Sequence, residues 1–387
     1  MNQKAANNLF LKKTNRIKIL QHLRRQQLSR ADLARLTGLS RAAITMLTDD
    51  LMQQGFLLEM GTVPREMGRR PTLLSLNPER FCTFGVSIAR DQILAGVVDF
   101  EGKPLETIRI STAGSANQVL DKIIDALNAF RAQRRESILG VGVIAPGPLD
   151  YLKGVILNPP NFEVWHGVKV CQHVKEILNL PVVLENNPNA LAIAEMHYGK
   201  IPSFSSMMLL TVDEGIGAGI ILHHQLYRGS GGFGSEVGHM SIDRNGPRCA
   251  CGNFGCLEVF AARPAYLARS ARLVPGRFSW AQVVDGAMEG DPACRALICD
   301  QADYLGLSIS NVLNLLEVEA VVLSGDMVYR PELLLLELSQ RIANWSMSRN
   351  KRKVFLRASS LPQHSEILSA AAALMERYFN GELELSI

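Results

Sequence analysis

Four potential metal ligands lie within one short segment, and this cluster constrains the fold more than any other feature of the 387-residue chain. The four are His239, Cys249, Cys251 and Cys256. Three thiolates and one imidazole are the closed tetrahedral set that holds structural zinc. The rest of the segment is polar and rich in glycine, so it can turn tightly but has no apolar core of its own. The pattern predicts one structural Zn²⁺ per chain. The alternative is a set of ordinary buried thiols beside an unrelated histidine.

Two glutamates bracket these ligands. With all four coordination positions filled by protein, the ion would have no open site for water, which argues against a hydrolytic zinc. We expect the metal to hold the loop so that Glu236 and Glu258 point at one small polar ligand. Carboxylates and an imidazole suit sugar hydroxyls, which both donate and accept hydrogen bonds. The alternative is a pair of solvated surface acids.

The whole segment resembles the signature of a known family. Glu-x-Gly-His begins at Glu236, and Cys-x-Cys-Gly-x-x-Gly-Cys-x-Glu ends at Glu258. This pattern is similar to that of the ROK family of repressors, open reading frames and sugar kinases. The resemblance covers nearly the whole chain and includes the DNA-binding extension that only the repressors carry. It implies a two-lobed α/β body of the actin/hexokinase type, preceded by an α+β winged helix-turn-helix domain.

The charge of the chain is unevenly distributed. Residues 1–72 carry 13 Lys/Arg against 5 Asp/Glu, a net of +8, whereas the rest carries 28 against 32, a net of −4. A basic head on a mildly acidic body is expected if only the head contacts nucleic acid. We expect three domains: the winged helix-turn-helix (1–78), a first α/β lobe (79–200) and a second α/β lobe with the zinc loop (201–387).

The head has the pattern of a helix-turn-helix. A basic helix over 11–26 is followed by Ser29, which can cap a second helix that Gly38 would end, and by Ser40, which can cap a third. The expected core residues are Leu33, Leu36, Leu39, Ile44, Leu47 and Leu51. Two short strands, Leu57–Glu59 and Thr72–Leu76, would form a wing with a basic tip. The candidate DNA contacts are Arg30, Arg41, Ala42, Thr45, Met46, Arg69 and Arg70. The alternative is a small helical bundle that mediates oligomerisation.

Beyond the head, strands and helices alternate as in an α/β protein. Three strands in a meander (84–88, 93–99 and 107–111), a helix over 116–132 and a strand over 139–144 open the first lobe. A second lobe begins with strands over 207–212 and 217–222, and a strand over 320–323 and helices (259–272, 280–288, 292–315) follow. No internal sequence repeat supports two similar lobes, so the expected fold depends on the resemblance.

The resemblance also indicates that kinase activity has been lost. The sugar kinases carry Asp-x-Gly-Gly-Thr in the first hairpin, where this chain has Gly85 to Arg90, and a Gly-Thr-Gly turn where it has Asp213-Glu214-Gly215. Their catalytic aspartate corresponds to Asn187, and an amide cannot act as that base. Ser324-Gly325-Asp326 replaces the paired glycines of the nucleotide site. We therefore predict no enzyme activity; the alternative is an ATP-dependent ROK sugar kinase with an accessory DNA-binding domain.

The sugar-binding positions of the family are largely kept. By resemblance, the effector-binding residues are Asn161, Asn186, Asn187, Glu236, His239, Glu258 and Gly147. For Asn161 and Gly147, a role as simple turn residues is an open alternative. The chain then reads as a repressor of sugar metabolism genes, bound to operator double-stranded DNA and regulated by a sugar or sugar-phosphate effector between the lobes.

Paired half-sites in operators predict a homodimer or homotetramer, and a regulatory protein partner is a further possibility. Seven cysteines, three of them assigned to the metal, suit a reducing compartment. Neither a signal peptide nor an apolar run of about eighteen residues is present, so we expect a cytoplasmic protein without membrane insertion.

Overall fold

The computed structural model of the chain describes residues 3–24, 26–62, 71–200, 202, 204–348, 351–362 and 365–383, with side chains from residue 11 onward except at residue 62. The chain forms two compact units, one of Met1–Ala190 with Pro362–Ile387 and one of Leu191–Leu361. None of the helices in the described ranges offers an apolar stretch that would span a bilayer.

The first unit begins with three helices and a small sheet. The helices are α1 (Gln3–Leu23), α2 (Arg30–Thr37) and α3 (Arg41–Gln53). Three antiparallel strands follow the order β1-β3-β2, with bounds Leu28–Ser29 for β1, Leu57–Thr62 for β2 and Thr72–Leu76 for β3. This arrangement confirms the expected helix pair and the two wing strands.

Side-chain caps fix the ends of the second and third helices. The Ser29 hydroxyl accepts a 3.2 Å hydrogen bond from the Asp32 amide, and Ser40 does the same for Ala43. Gly38 ends α2 in the left-handed region, at φ 72°, which glycine adopts without the penalty of a side chain. These caps were all predicted from the sequence.

The core of the three helices differs from the expectation at one position. Leu33, Ile44, Leu47 and Leu51 are buried, whereas 41% of Leu36 is exposed. The prediction for Leu36 was wrong because α2 is only eight residues long and buries Leu33 instead. Leu39 is partly buried and packs against this core. Ile19, Leu20 and Leu23 of α1 complete this core.

This core continues into the α/β part of the same unit. The Phe56 ring stacks on the Phe81 ring with centroids 4.4 Å apart, and the Phe100 ring lies 5.7 Å from that of Phe81. Leu139 and Tyr378 belong to the same buried cluster. The core of the winged helix-turn-helix segment therefore extends into the first α/β segment, which also has a second buried cluster of its own.

The α/β part of the first unit is a five-stranded sheet in the order β10-β7-β4-β5-β6. Strands β4, β5 and β6 form an antiparallel meander, and β7 and β10 add in parallel on the other side. Their bounds are Phe81–Ile88, Ile93–Asp99, Pro104–Ile110, Ser137–Ala145 and Val182–Asn186. Helices α4 (Ala116–Ala132) and α5 (Val170–Leu178) belong to this unit, as does a short hairpin of β8 (Leu149–Asp150) and β9 (Val155–Ile156).

The second unit repeats this topology. Its sheet has the order β13-β12-β11-β14-β15, again a meander followed by two parallel strands. The strands are Met207–Val212 (β11), Ile216–Leu222 (β12), Gln225–Leu226 (β13), Ala320–Gly325 (β14) and Phe355–Ala358 (β15). Helix α6 (Asn187–Tyr198) leads into the unit, and five more pack within it: α7 (Leu257–Ala261), α8 (Arg263–Leu273), α9 (Trp280–Met288), α10 (Pro292–Leu316) and α11 (Glu332–Trp345). The two-lobed fold expected from the resemblance is confirmed.

Two details differ from the sequence interpretation. The helix expected over 259–272 is broken at Ala262, because the Arg263 amide donates to the Asp213 carbonyl at 2.8 Å instead of joining the preceding helix. The last helix, α12 (Glu366–Phe379), packs on β4 and β7 of the first unit, whereas the sequence division grouped it with residues 201–387. The division at residue 78 remains a prediction.

Candidate functional site

The four predicted metal ligands come together in the second unit. One ligand atom from each of His239, Cys249, Cys251 and Cys256 lies within 4.8 Å of the others. His239 Nδ1 is 3.6 Å from Cys249 Sγ, and the Sγ atoms of Cys251 and Cys256 are 3.7 Å apart. Tetrahedral zinc bonds of about 2.3 Å to sulfur and about 2.05 Å to nitrogen give separations of about 3.8 and about 3.6 Å. The residues therefore fit a closed zinc site.

The loop around these ligands is held by its own backbone. The Cys249 amide donates to the Asn253 carbonyl at 2.8 Å, and the Ile242 amide donates to the Gly255 carbonyl at 2.8 Å. Gly255 has φ 61°, and a Cβ there would lie 1.6 Å from the Asp243 carbonyl oxygen. A side chain at Gly255 is thus excluded twice, by conformation and by space. The close approach brings Cys256 next to His239. The His239 carbonyl accepts a hydrogen bond from the Cys256 thiol at 3.3 Å.

The same loop brings together the three effector candidates of this unit. The Glu258 carboxylate accepts a 3.0 Å hydrogen bond from the Ile216 amide at the start of β12. Burial raises the pKa of Glu236, and the nearby charge of Glu258 adds to this effect. Glu236, His239 and Glu258 therefore lie near one another. This is the arrangement expected of carboxylates and an imidazole that line one polar binding site.

The other effector candidates lie in the first unit. Asn186 ends β10 and Asn187 opens α6. Gly147 lies beside Asn186, since a Cβ on Gly147 would be 3.0 Å from Asn186 Nδ2. The side-chain oxygen of Asn187 is buried and has no hydrogen-bond partner among the described residues. Asn161 occupies the left-handed region at φ 55°, in the loop that precedes Glu163–Trp165.

An arginine lies against the Asp213-Glu214-Gly215 turn, which stands where the sugar kinases carry Gly-Thr-Gly. Arg263 donates to three carboxylates: Nη2 to Asp213 at 3.0 Å, Nη1 to Glu214 at 2.9 Å and Nε to Asp326 at 2.6 Å. Tyr266 also donates to Asp326. Burial raises the pKa of Asp213 to about 6, and the nearby charge of Asp326 adds to this effect. An anionic cluster that already holds its own cation is a poor site for a triphosphate.

Sequence reasoning identified the three acids of this cluster but missed Arg263 and Tyr266. The available signal was that Asp213, Glu214 and Asp326 need a cation if they are near each other. Pro264 at the start of α8 was a second signal, because it indicates a break between α7 and α8. This break places Arg263, the first residue of α8, beside the end of β11. In the first hairpin, where the sugar kinases carry Asp-x-Gly-Gly-Thr, the Arg90 guanidinium donates to the Pro160 carbonyl at 3.0 and 3.3 Å.

One side of α3 in the head is exposed to solvent and carries both polar and apolar side chains. Arg41, Ala42, Thr45 and Met46 are all exposed, and Met46 is 58% exposed. Their spacing of one, three and one residues places them on one side of the helix. The opposite side carries the buried Ile44, Leu47 and Leu51. The four predicted contact residues thus occupy the solvent face of the second helix of the helix-turn-helix.

Other cations of the head are engaged with acids. Arg30 pairs with Asp49 at 2.9 Å and with Glu59 at 2.8 Å, and Lys12 pairs with Asp50 at 3.0 Å. Arg16 also donates to Asp50. Arg69 and Arg70 lie outside the described residues. Among the predicted DNA contacts, Arg30 is therefore the one whose guanidinium the structure places inside an ion-pair network.

Comparison with known proteins decides the family. The sequence model described as "ROK family" matches residues 83–377. The chain belongs to the ROK family. The xylose repressor of Caldicellulosiruptor bescii is 30% identical over 95% of this chain and 97% of its own length.

Two solved structures of the ROK family, a regulator and a kinase, resemble this chain over different shares of its length. A ROK family transcriptional regulator, a homologue of the E. coli MLC protein, has a TM-score of 0.80 and 25% identity and covers 96% of this chain and 97% of its own. The ROK hexokinase of Thermus thermophilus has a TM-score of 0.68 and 28% identity, and covers 78% of this chain and 100% of its own. The ROK match in this chain begins at residue 83, after the three-helix segment.

Proposed function

We propose that this ROK protein is a transcriptional repressor of sugar metabolism genes that binds operator double-stranded DNA and responds to a sugar or sugar phosphate. The observation that carries the proposal is the exposed face of α3 (Arg41, Ala42, Thr45 and Met46) in a segment that the similar repressor and regulator also cover. A helix with this exposure, in the second position of a helix-turn-helix, is the element that enters a major groove. With operator DNA as its target, the protein is proposed to be cytoplasmic.

DNA affinity comes mainly from contacts to phosphates and specificity from contacts to base edges. The net charge of +8 over residues 1–72 supports the first term. Arg41 and Thr45 can donate to acceptors in the groove, and Met46 and Ala42 can contact a thymine methyl group. Arg69 and Arg70, at the tip of the wing, are proposed to reach the backbone or the minor groove.

The effector residues divide between the two units. Asn161, Asn186, Asn187 and Gly147 in the first unit, with Glu236, His239 and Glu258 in the second, are proposed to hold sugar hydroxyls. The buried oxygen of Asn187 supports this, because an unpaired buried acceptor costs about 1–3 kcal/mol and a hydroxyl donor would satisfy it. Asn187 can accept a hydrogen bond but cannot take a proton from the sugar, so binding is not followed by phosphoryl transfer.

The metal is proposed to be structural Zn²⁺, one per chain, held by His239 Nδ1 and the thiolates of Cys249, Cys251 and Cys256. Zinc supplies a fixed tetrahedral anchor for the loop and, with four protein ligands, no site for a reacting water. When Nδ1 of His239 binds the metal, Nε2 carries the ring proton and can donate to a sugar oxygen. The zinc loop would then orient His239 together with Glu236 and Glu258.

Two-fold operators suit a homodimer or homotetramer, because each head reads one half-site. A regulatory protein partner remains a further possibility. The alternative function is a ROK sugar kinase with an accessory DNA-binding domain. The Arg263 cluster and Asn187 both oppose it, since the first disfavours a nucleotide and the second removes the base.

The experiment is to select sequences from a random duplex pool with the purified full chain and then to measure binding of the selected DNA. We expect enrichment of a two-fold symmetric site, and loss of its preference over random DNA in Arg41→Ala. Exposed Leu152→Ala, in the first unit but outside the head, is the matched control and should retain wild-type binding. Failure to enrich any sequence would contradict the proposal.

A further inference from the structure

Arg30 links three elements of the head. It is the first residue of α2, and its guanidinium donates to α3 and to β2. Nε donates to Thr48 Oγ1 at 3.1 Å, Nη2 to Asp49 Oδ1 at 2.9 Å and Nη1 to Glu59 Oε1 at 2.8 Å. All three nitrogens of the side chain are thus engaged, and their partners lie on the DNA-reading helix and on the strand that leads to the wing.

The three partners differ in burial, so one edge of the guanidinium faces the core and the other nitrogens face exposed carboxylates. Thr48 is fully buried, whereas the side chains of Asp49 and Glu59 are each 49% exposed. The bond to Thr48 therefore fixes one edge of the planar guanidinium against the core, and its other two nitrogens hold carboxylates of separate elements. A planar guanidinium fork offers donors on three separate nitrogens that match these three partners, whereas the three donors of a lysine ammonium all sit on one atom and do not match this arrangement.

The position of Asp49 makes this link relevant to the readout face. Asp49 lies four residues after Thr45 and eight after Arg41, so it is on the same side of α3. An ion pair with this much exposure contributes little to the free energy of unfolding. It does connect α3 to β2, because one side chain bonds to both.

We propose that Arg30 is a positioning residue that sets the DNA-reading face of α3 relative to the wing, rather than a phosphate contact. This inference rests on the proposed function of the head in DNA binding. With Arg30 in place, base contacts from α3 and backbone contacts from the wing fit one DNA at the same time. Without it, each element still meets DNA, but the two no longer fit one operator together.

The test uses Arg30→Lys, which keeps the charge and removes the fork, in the full chain. Salt titrations are run with selected operator DNA and with random DNA. We expect the preference for operator to fall by about tenfold, which is about 1.4 kcal/mol, as one base contact is misplaced. Affinity for random DNA and the slope of log K against log salt should remain at the wild-type values, because the number of phosphate contacts is unchanged.

Glu59→Gln is the second variant, and it separates positioning from simple charge. Removing an acid from the head should strengthen DNA binding if electrostatics alone operate. Positioning instead predicts a lower operator preference, and no further loss when Glu59→Gln is combined with Arg30→Lys, because both changes break one link. Arg352→Gln, which removes a paired arginine from the second unit, is the control and should match wild type.

Three results would overturn the proposal. Arg30→Lys could bind both DNAs like wild type. Arg30→Gln could weaken both DNAs equally with a slope reduced by about 0.9, which is the signature of a lost phosphate contact. Glu59→Gln could raise operator affinity and leave the operator preference intact. If the wild-type chain itself shows no operator preference, the proposed function fails and the Arg30 inference fails with it.

Discussion

Arg263 is bonded to Asp213 twice, through its backbone amide to the Asp213 carbonyl at 2.8 Å and through Nη2 to Oδ1 at 3.0 Å. The first bond ends helix α7 and begins α8, and the second brings a cation among three carboxylates. One residue thereby contacts the end of β11, begins α8 and supplies the cation of a cluster at the turn where the sugar kinases carry Gly-Thr-Gly.

The titration of Asp213 makes the free energy of unfolding depend on pH. Because burial raises its pKa to about 6 from an ordinary value of 3.8, the folded state holds a proton that the unfolded state has released. Raising the pH from about 4 to about 6 therefore removes stability. We expect Asp213→Asn to lose less stability than wild type between about pH 4 and about pH 6, measured by urea unfolding. Asp303→Asn, which retains Asp213, should follow wild type. Equal losses in Asp213→Asn and wild type would contradict the assignment.

We predict that the chain phosphorylates no sugar. Asn187 lacks a titratable group, and Asp213, Glu214 and Asp326 with Arg263 disfavour a triphosphate. Asn187→Asp restores the base but should also be inactive, because the position that would bind the nucleotide is unchanged. The measurement is ADP release with hexoses, pentoses and amino sugars, with a ROK hexokinase as the positive control. Sugar-dependent ADP release by the wild-type chain would establish the kinase alternative.

The zinc loop predicts a shared loss of metal and effector. Cys251→Ser should lose the metal, since a serine hydroxyl is a poor zinc ligand, and with it the orientation of Glu236 and Glu258. Elemental analysis and calorimetry with a bound sugar are the measurements. Cys299→Ser changes a thiol outside the cluster and should retain one zinc per chain. Freshly purified wild-type protein without zinc would contradict the site.

The first and last helices are predicted to be coupled. The Arg24 guanidinium lies 4.1 Å from the centroid of the Phe379 ring, and Gln21 donates to the Phe379 carbonyl at 2.9 Å. Phe379→Ala should cost about 3–5 kcal/mol of the free energy of unfolding, because the ring is 2% exposed. In a double-mutant cycle with Arg24→Ala, we expect a coupling energy of about 0.5–2 kcal/mol. Additive losses would show that the two side chains do not interact.

Two sets of head variants should separate affinity from specificity. Arg69→Ala with Arg70→Ala should weaken binding to all DNA and reduce the salt slope by up to about 1.8, which is 0.9 for each phosphate contact. Thr45→Ala should instead shift which operator is preferred, at about 1–3 kcal/mol for a lost base contact. Operator and random DNA are titrated with salt for each variant. A double arginine variant that binds both DNAs like wild type would make the wing tip a solvated loop.

Features that depend on residues close in sequence were predicted better than contacts between residues far apart in sequence. The caps at Ser29 and Ser40 depend on residues close in sequence and are confirmed. The four side chains from His239 to Cys256 also come together as expected, while the metal itself stays a prediction. The position of Arg263, fifty residues from Asp213, depends on how β11 and α8 meet, which spacing does not reveal.

The two sheets show the same difference between local and long-range information. Both have a meander followed by two parallel strands, yet the sequence carries no repeat that marks them as similar. Strand pairing tolerates many apolar sequences, so two sheets of one topology need not resemble each other in sequence. The exposure of Leu36 has a related cause, because a short helix buries only the residues that its neighbour covers.

The most direct test of the account is the effect of sugars on operator binding by the zinc-loaded chain. Anisotropy of a labelled, selected operator is measured at one salt concentration with a panel of pentoses, hexoses and their phosphates, without ATP. We predict that at least one sugar changes operator affinity by about tenfold or more, and that Asn187→Ala or Glu258→Gln abolishes this change while keeping sugar-free DNA binding. Operator affinity that no sugar alters, or a sugar effect that survives both substitutions, would contradict the account.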